Sequence, residues 1–281
     1  MENIMINTEN IRGAIVSLGA AALLLFILPI VFLAVWKKRC GKSASFKSAV
    51  IGAAGFMLFA RVLELGVHMV CIVADNPISE FINGNTLAYV IYGISMAGIF
   101  EECGRYIMIK LFMKKSGTRE NYIMYGIGHG GIEVWAVILM ALISYIAVAV
   151  TVKTGGVGAA LEMMGVTADA GEKTLSTAYG VISYVMSFNG ITAALYVIER
   201  IGTMLIHISL TVIVAYGIET GGKKYLEAAI LLHAIIDVFA ALSQRGVVTM
   251  ALSEIWLLAW TCALVFIGRR LYLKLGAAAE E

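Results

Sequence analysis

The chain has 281 residues, 60% of them apolar and 14% charged, with a net charge of +2 and a mean hydropathy of +0.88. Soluble domains average about 45–50% apolar and about 25% charged residues, so the composition excludes an ordinary soluble domain, and the small net charge gives no footing for a nucleic-acid partner. With only two prolines, and with apolar runs that are continuous rather than alternating as in a membrane barrel, the sequence is that of an all-α integral membrane protein.

The runs fall in order along the chain. Residues 11–36 follow a polar start and are too long for a signal peptide, so they form a retained span. Residues 46–74, 86–112 and 122–152 follow, then 226–243 and 247–267. Each reaches or approaches the roughly 20 residues that cross a bilayer. The region 176–220 admits two readings: two short spans meeting at Glu199 and Arg200, or one long span over 190–220 preceded by an interfacial helix at 174–189. Loop charge decides between them, because cytoplasmic loops carry the Lys/Arg excess. Lys37, Lys38, Arg39 and Lys42 follow the first span, and Lys110, Lys114, Lys115 and Arg119 follow the third. With one long span, Lys223, Lys224, Arg269, Arg270 and Lys274 fall on that same side. The expectation is therefore about seven transmembrane helices, eight being the alternative, with the N-terminus outside and the C-terminus cytoplasmic. The whole chain, 1–281, is expected to be a single polytopic domain of a bacterial plasma membrane, with a core over about residues 86–243. Cys40, Cys71, Cys103 and Cys262 lie far apart, none in a CxxC pair, and are read as reduced.

Ionisable side chains inside such spans carry the functional signal, since a charge at the bilayer centre costs at least about 2.5–3.5 kcal/mol. The third span holds Glu101, Glu102 and Arg105, where either carboxylate is at a spacing that pairs with the guanidinium. The fourth holds His129 and Glu133, the long span Glu199, Arg200 and His207, and the sixth His233 and Asp237. Arg61, Glu64 and His68 share a face of the second span and are read as a local pairing. Counted from the inner ends at about 1.5 Å per residue, the third, fourth, long and sixth spans bring their polar groups to similar depth, toward the cytoplasmic half. Glu133 is expected to orient His129 or to pair with Arg200. Gly126, Gly128, Gly130 and Gly131 surround His129; they serve either close helix packing or room for a substrate backbone.

A carboxylate facing histidines activates water for attack on a carbonyl, and the imidazoles hold that water or stabilise the oxyanion. The same groups suit zinc, with His129, His207, His233 and Glu101 as the ligand set, although no HExxH is present. Buried Glu, His and Asp also form proton relays in transporters. The runs EECGRY, GIGHGGIE, LLHAIID and the dipeptide ER between the last two, with Tyr125 four residues before His129, resemble the YhfC branch of the CAAX protease and bacteriocin-processing superfamily of glutamic-type intramembrane proteases. That resemblance covers about half of the chain. It implies Glu101 as general base, His129 sharing the nucleophilic water, His233 and Asp237 on the oxyanion side, and Glu102 and Arg105 in support. The arginine stands one residue earlier than in the family pattern EExxxR, which leaves open which glutamate is the base, and His207 and Glu199 lie outside its three motifs. The resulting expectation is an intramembrane endopeptidase acting on a membrane-bound peptide or protein, prenylated by family analogy only, with no cofactor favoured and zinc as the alternative.

Overall fold

The computed structural model describes residues 10–113, 117–167 and 169–277; Lys114 and Lys115 of the expected inner loop lie outside the described residues. Among the described residues the regular structure is entirely helical: α1 (Ile11–Cys40), α2 (Phe46–Val73), α3 (Pro77–Gly84), α4 (Thr86–Phe112), α5 (Arg119–Glu133), α6 (Met140–Met163), α7 (Glu172–Ser187), α8 (Gly190–Thr220), α9 (Lys224–Gln244) and α10 (Met250–Ala277). Six stretches are long and apolar enough to cross a membrane, and the protein is an all-α, multi-pass integral membrane protein. The expected third span, α4, is 27 residues long but is not among the six, since Glu101, Glu102, Arg105 and Lys110 dilute its apolar run. The region around Glu199 and Arg200 lies within one 31-residue helix, α8, rather than at a junction of two, and the expected interfacial segment is the separate helix α7.

Local chemistry sets the helix starts. The Ser45 side chain accepts from Lys47 N at the head of α2, and Asn85 accepts from Ala88 N at the head of α4. Asn76 and Ser79 close a capping box around Pro77 at the start of α3. Asn121 Oδ1 accepts from Ser45 N at 2.8 Å, which ties the start of α2 to that of α5. Three π-helical turns interrupt regular hydrogen bonding, Phe59–Glu64 and Met69–Val73 within α2, and Val134–Leu139 after α5. Such turns are rare and frequent at functional sites.

The chain divides into two compact units: Val134–Arg200 with the chain up to Leu28, and Pro29–Glu133 with Ile201 onward. In the first, α6 packs on α7, and Tyr145, Tyr184, Phe188 and Tyr196 form an aromatic cluster in which the Tyr184 and Tyr196 hydroxyls are 2.8 Å apart. Gly156 breaks α6 with φ +80°, a conformation glycine adopts without penalty.

In the second unit α2 packs on α5 and α4, and α9 packs on α4 and α10. Lipid is as apolar as leucine, so close van der Waals packing replaces the hydrophobic effect in holding such helices together. The glycines supply that closeness. A Cβ on Gly128 would lie 1.9 Å from the Ala49 carbonyl oxygen, one on Gly126 would lie 2.6 Å from Ile208 Cα, and one on Gly131 would meet Pro29 at 2.9 Å. On α2, Gly52 returns the contact, its Cβ position being 2.1 Å from the Tyr125 carbonyl oxygen. The glycines around His129 therefore face neighbouring helices, Gly126 and Gly128 against backbone and Gly130 and Gly131 chiefly against side chains of α8 and α1, and the room they leave is filled. Because overpacking costs about 1–3 kcal/mol or more, Gly128→Ala is expected to lower the midpoint of thermal unfolding in detergent. Gly93→Ala, with open space around its Cβ position, is expected to keep or raise it.

Candidate active site

Four helices of the second unit converge their polar side chains: α4 with Glu101, Glu102 and Arg105, α5 with His129 and Glu133, α8 with His207, and α9 with His233 and Asp237. Glu102 and Arg105 have no exposed surface, and His129, His207 and His233 are buried with them; Glu101 keeps 9% of its surface. The helical repeat turns Glu102 rather than Glu101 onto Arg105, with Nε donating to Oε2 at 2.8 Å and Nη2 to Oε1 at 3.1 Å. Arg105 Nη1 donates to the His207 carbonyl at 3.2 Å and to Thr211 Oγ1 at 2.6 Å, while Nη2 also lies 3.2 Å from His207 Nδ1 and 3.4 Å from His129 Nε2. All five guanidinium hydrogens thus have acceptors in reach, which such a buried cation requires. Thr211 stands one turn beyond His207 and donates to that residue's carbonyl at 2.7 Å. It went unnoticed in the sequence, although its i+4 spacing from His207 was the signal.

Two imidazole groups form around this anchor. His129 Nε2 is 3.0 Å from Glu101 Oε2, and His207 Nδ1 is 3.8 Å from that same oxygen. The far nitrogen of His207, Nε2, is 2.6 Å from Glu133 Oε2. Glu133 therefore meets His207, not His129. On the other side His233 Nδ1 lies 2.8 Å from Glu102 Oε1, and its Nε2 lies 3.4 Å from the partly exposed Asp237. His129 is wedged between aromatic rings, edge-on to Phe56 at 5.2 Å and stacked on Tyr125 at 6.2 Å. Among the described residues the Tyr125 hydroxyl and His129 Nδ1 are buried without a hydrogen-bond partner. Glu64, read in the sequence as part of a local pairing, does sit 3.2 Å from His68, but it is also buried, on the π-helical turn of α2 and within electrostatic range of His233 and Asp237. Glu199 and Arg200 belong to the first unit, where they pair with each other.

Glu101, His129 and His207 can each turn one ligand atom into a space where all three atoms lie within 4.8 Å of one another, the single such grouping among the described residues. Of the four ligands considered from sequence, His233 stands outside it, held instead between Glu102 and Asp237. Two imidazoles and one carboxylate are a donor set that suits catalytic zinc with a fourth position open. Glu133 on the far nitrogen of His207 is the kind of carboxylate partner that fixes a ligating imidazole. The donors therefore fit a metal ion, on the condition that Arg105 Nη2 gives up the two ring nitrogens and keeps Glu102.

A polytopic helical protein with a carboxylate–imidazole cluster enclosed among its helices belongs with membrane-embedded enzymes or carriers, and the comparisons with known proteins narrow this. The chain belongs to the YhfC family: residues 24–257 match the family described as YhfC intramembrane metalloprotease. It is 35% identical over 243 residues to the "Uncharacterized membrane protein YhfC" of Bacillus subtilis (strain 168), covering 85% of this chain and 89% of that protein. No solved structure matches it.

Breaking one side of a buried pair costs about 3–5 kcal/mol, whereas removing both partners costs much less. Arg105→Met is therefore expected to destabilise the protein strongly in detergent unfolding. The double variant Glu102→Gln/Arg105→Met is expected to lose less than the sum of the two single variants, a coupling that a double-mutant cycle reads directly.

Proposed function

We propose that this protein is an intramembrane metalloprotease that hydrolyses a peptide bond of a membrane-bound peptide or protein, with zinc held by Glu101, His129 and His207. The observation that carries this reading is the convergence of those three donors within 4.8 Å, with Glu133 2.6 Å from the outer nitrogen of His207. The family's description as a metalloprotease supports it. When bound, zinc would supply a Lewis acid and lower the pKa of its water toward neutrality.

The chain's own residues do the rest. Glu133 accepts a hydrogen bond from His207 Nε2–H, which fixes the tautomer whose Nδ1 lone pair is directed at the ligand space. Glu102 anchors the Arg105 guanidinium beside that space, a fixed positive charge that offsets the negative charge growing on the carbonyl oxygen. His233, held by Glu102 on one nitrogen and facing Asp237 with the other, is the oxyanion-side donor. Asp237, about one-third exposed at its side chain, links it to the outside of the cluster. Burial of Glu102, Arg105 and His129 keeps bulk water from the reacting centre.

One observation favours a second reading. Glu101 Oε2 is already hydrogen-bonded to His129 Nε2 at 3.0 Å, and Arg105 Nη2 lies 3.2 Å from His207 Nδ1, whose lone pair it occupies. In that glutamic-type mechanism Glu101 is the base for a water shared with His129, and no metal takes part.

Metal analysis of the purified full-length protein, together with cleavage of a transmembrane peptide library, separates the two. The metalloprotease reading expects about one zinc per chain, lost in His129→Ala and His207→Ala, with chelators reducing cleavage by at least about 100-fold. The glutamic reading expects metal-free protein to keep its activity and Glu101→Gln to lose about 100-fold or more. Undiminished cleavage in both Glu101→Gln and Glu102→Gln would sink both.

The same reading has seven spans, the N-terminus outside and the C-terminus cytoplasmic, on the strength of the Lys/Arg distribution. A C-terminal fusion to a fluorescent protein is expected to fluoresce and one to alkaline phosphatase to stay inactive; the reverse pattern overturns the orientation.

A further inference from the structure

Away from the carboxylate–histidine cluster, a cavity of about 240 Å³ opens where the end of α4, the end of α8 and the start of α9 meet. Lys110 and Tyr106 line it from α4, Lys223 from the turn between α8 and α9, and Val214, Ile218 and Leu226 form apolar wall. The turn leaves α8 through Gly221 at φ +73°, a backbone state that favours glycine, and with no side chain there the wall stays open.

Among the described residues the two lysines of this cavity have no acidic partner. Among the same residues Lys110 Nζ reaches only the Tyr106 hydroxyl, at 3.1 Å, and stands 5.2 Å over its ring. The nearest acid on α8 in sequence, Glu219, is taken by the Tyr122 hydroxyl, and Glu227 on α9 does not line the cavity. Two ammonium groups beside a tyrosine hydroxyl and an apolar wall are complementary to an oxyanion attached to an apolar body. Tyrosine and lysine in the last turns of a membrane helix are also where a chain meets the headgroup layer.

We propose that this cavity is a binding site for a phosphate oxyanion, presented by an anionic phospholipid headgroup or as the free ion, with Lys110 and Lys223 as its cationic ligands. In the lipid case Val214, Ile218 and Leu226 receive the glycerol end of the chains. The site does not depend on the proteolytic reading.

The test is native mass spectrometry of the full-length protein released from detergent micelles loaded with phosphatidylglycerol or with phosphatidylcholine. A companion titration uses inorganic phosphate. Retained phosphatidylglycerol, absent phosphatidylcholine, and about tenfold weaker retention in the Lys110→Gln/Lys223→Gln variant support the site. The exposed Lys47→Gln control is expected to retain the lipid. Displacement by millimolar phosphate assigns the site to the free ion, and resistance to it assigns the site to the lipid. Equal retention by the double variant, an equal loss in Lys47→Gln, or equal retention of both lipids overturns the proposal. Both target lysines are exposed, so unchanged thermal unfolding verifies that a loss of lipid is not a loss of fold.

Discussion

Glu102 and Arg105 sit three residues apart on one helix, both without exposed surface. A charge in that position persists only when each of its hydrogen-bonding atoms has a partner. Arg105 spends its donors on Glu102, Thr211, the His207 carbonyl and the histidine rings, and Glu102 spends what remains of its acceptors on His233. One ion pair thereby fixes the positions of α4, α8 and α9 relative to one another. It also explains why the two adjacent glutamates differ in kind. Glu102 is consumed by structure, and Glu101, turned about 100° around the helix by the 3.6-residue repeat, faces the histidines with part of its carboxylate open.

Close packing makes the arrangement possible. Gly126 and Gly128 on α5 and Gly52 on α2 let backbone meet backbone, and Gly131 admits the Pro29 ring, so that His129 reaches Glu101 on α4. His129 Nδ1 and the Tyr125 hydroxyl, both buried without a hydrogen-bond partner among the described residues, belong to residues one helical turn apart on α5. Native proteins leave few such atoms; the Tyr125 hydroxyl faces Gly55 of α2, and His129 turns its other nitrogen, Nε2, to Glu101. In the proposed metal-bound form, the guanidinium and the ion would compete for the His207 Nδ1 lone pair, so the choice between the two proposed mechanisms turns on where Arg105 Nη2 points.

Much of this was legible in the sequence. The continuous apolar runs specified membrane helices, because a backbone in lipid must satisfy its own hydrogen bonds. The single long helix over 190–220 was legible from loop charge. Helical spacing marked Glu101, Glu102, Arg105, His129, His207, His233 and Asp237 as groups too costly to bury without a role. Helix periodicity also gave the two candidate partners of Arg105, since both i+3 and i+4 lie on one face.

Which of those partners was used, the sequence could not say, because the choice depends on a few degrees of helix rotation set by neighbours. Only the tertiary structure sent Glu133 to His207, drew His233 out of the ligand set to lie between Glu102 and Asp237, and brought Glu64 toward that same pair. Those pairings join residues far apart in the chain; Glu102 and His233, hydrogen-bonded to each other, stand 131 positions apart. Local spacing fixes which side chains share a face of one helix, and carries no information about which face of another helix it meets.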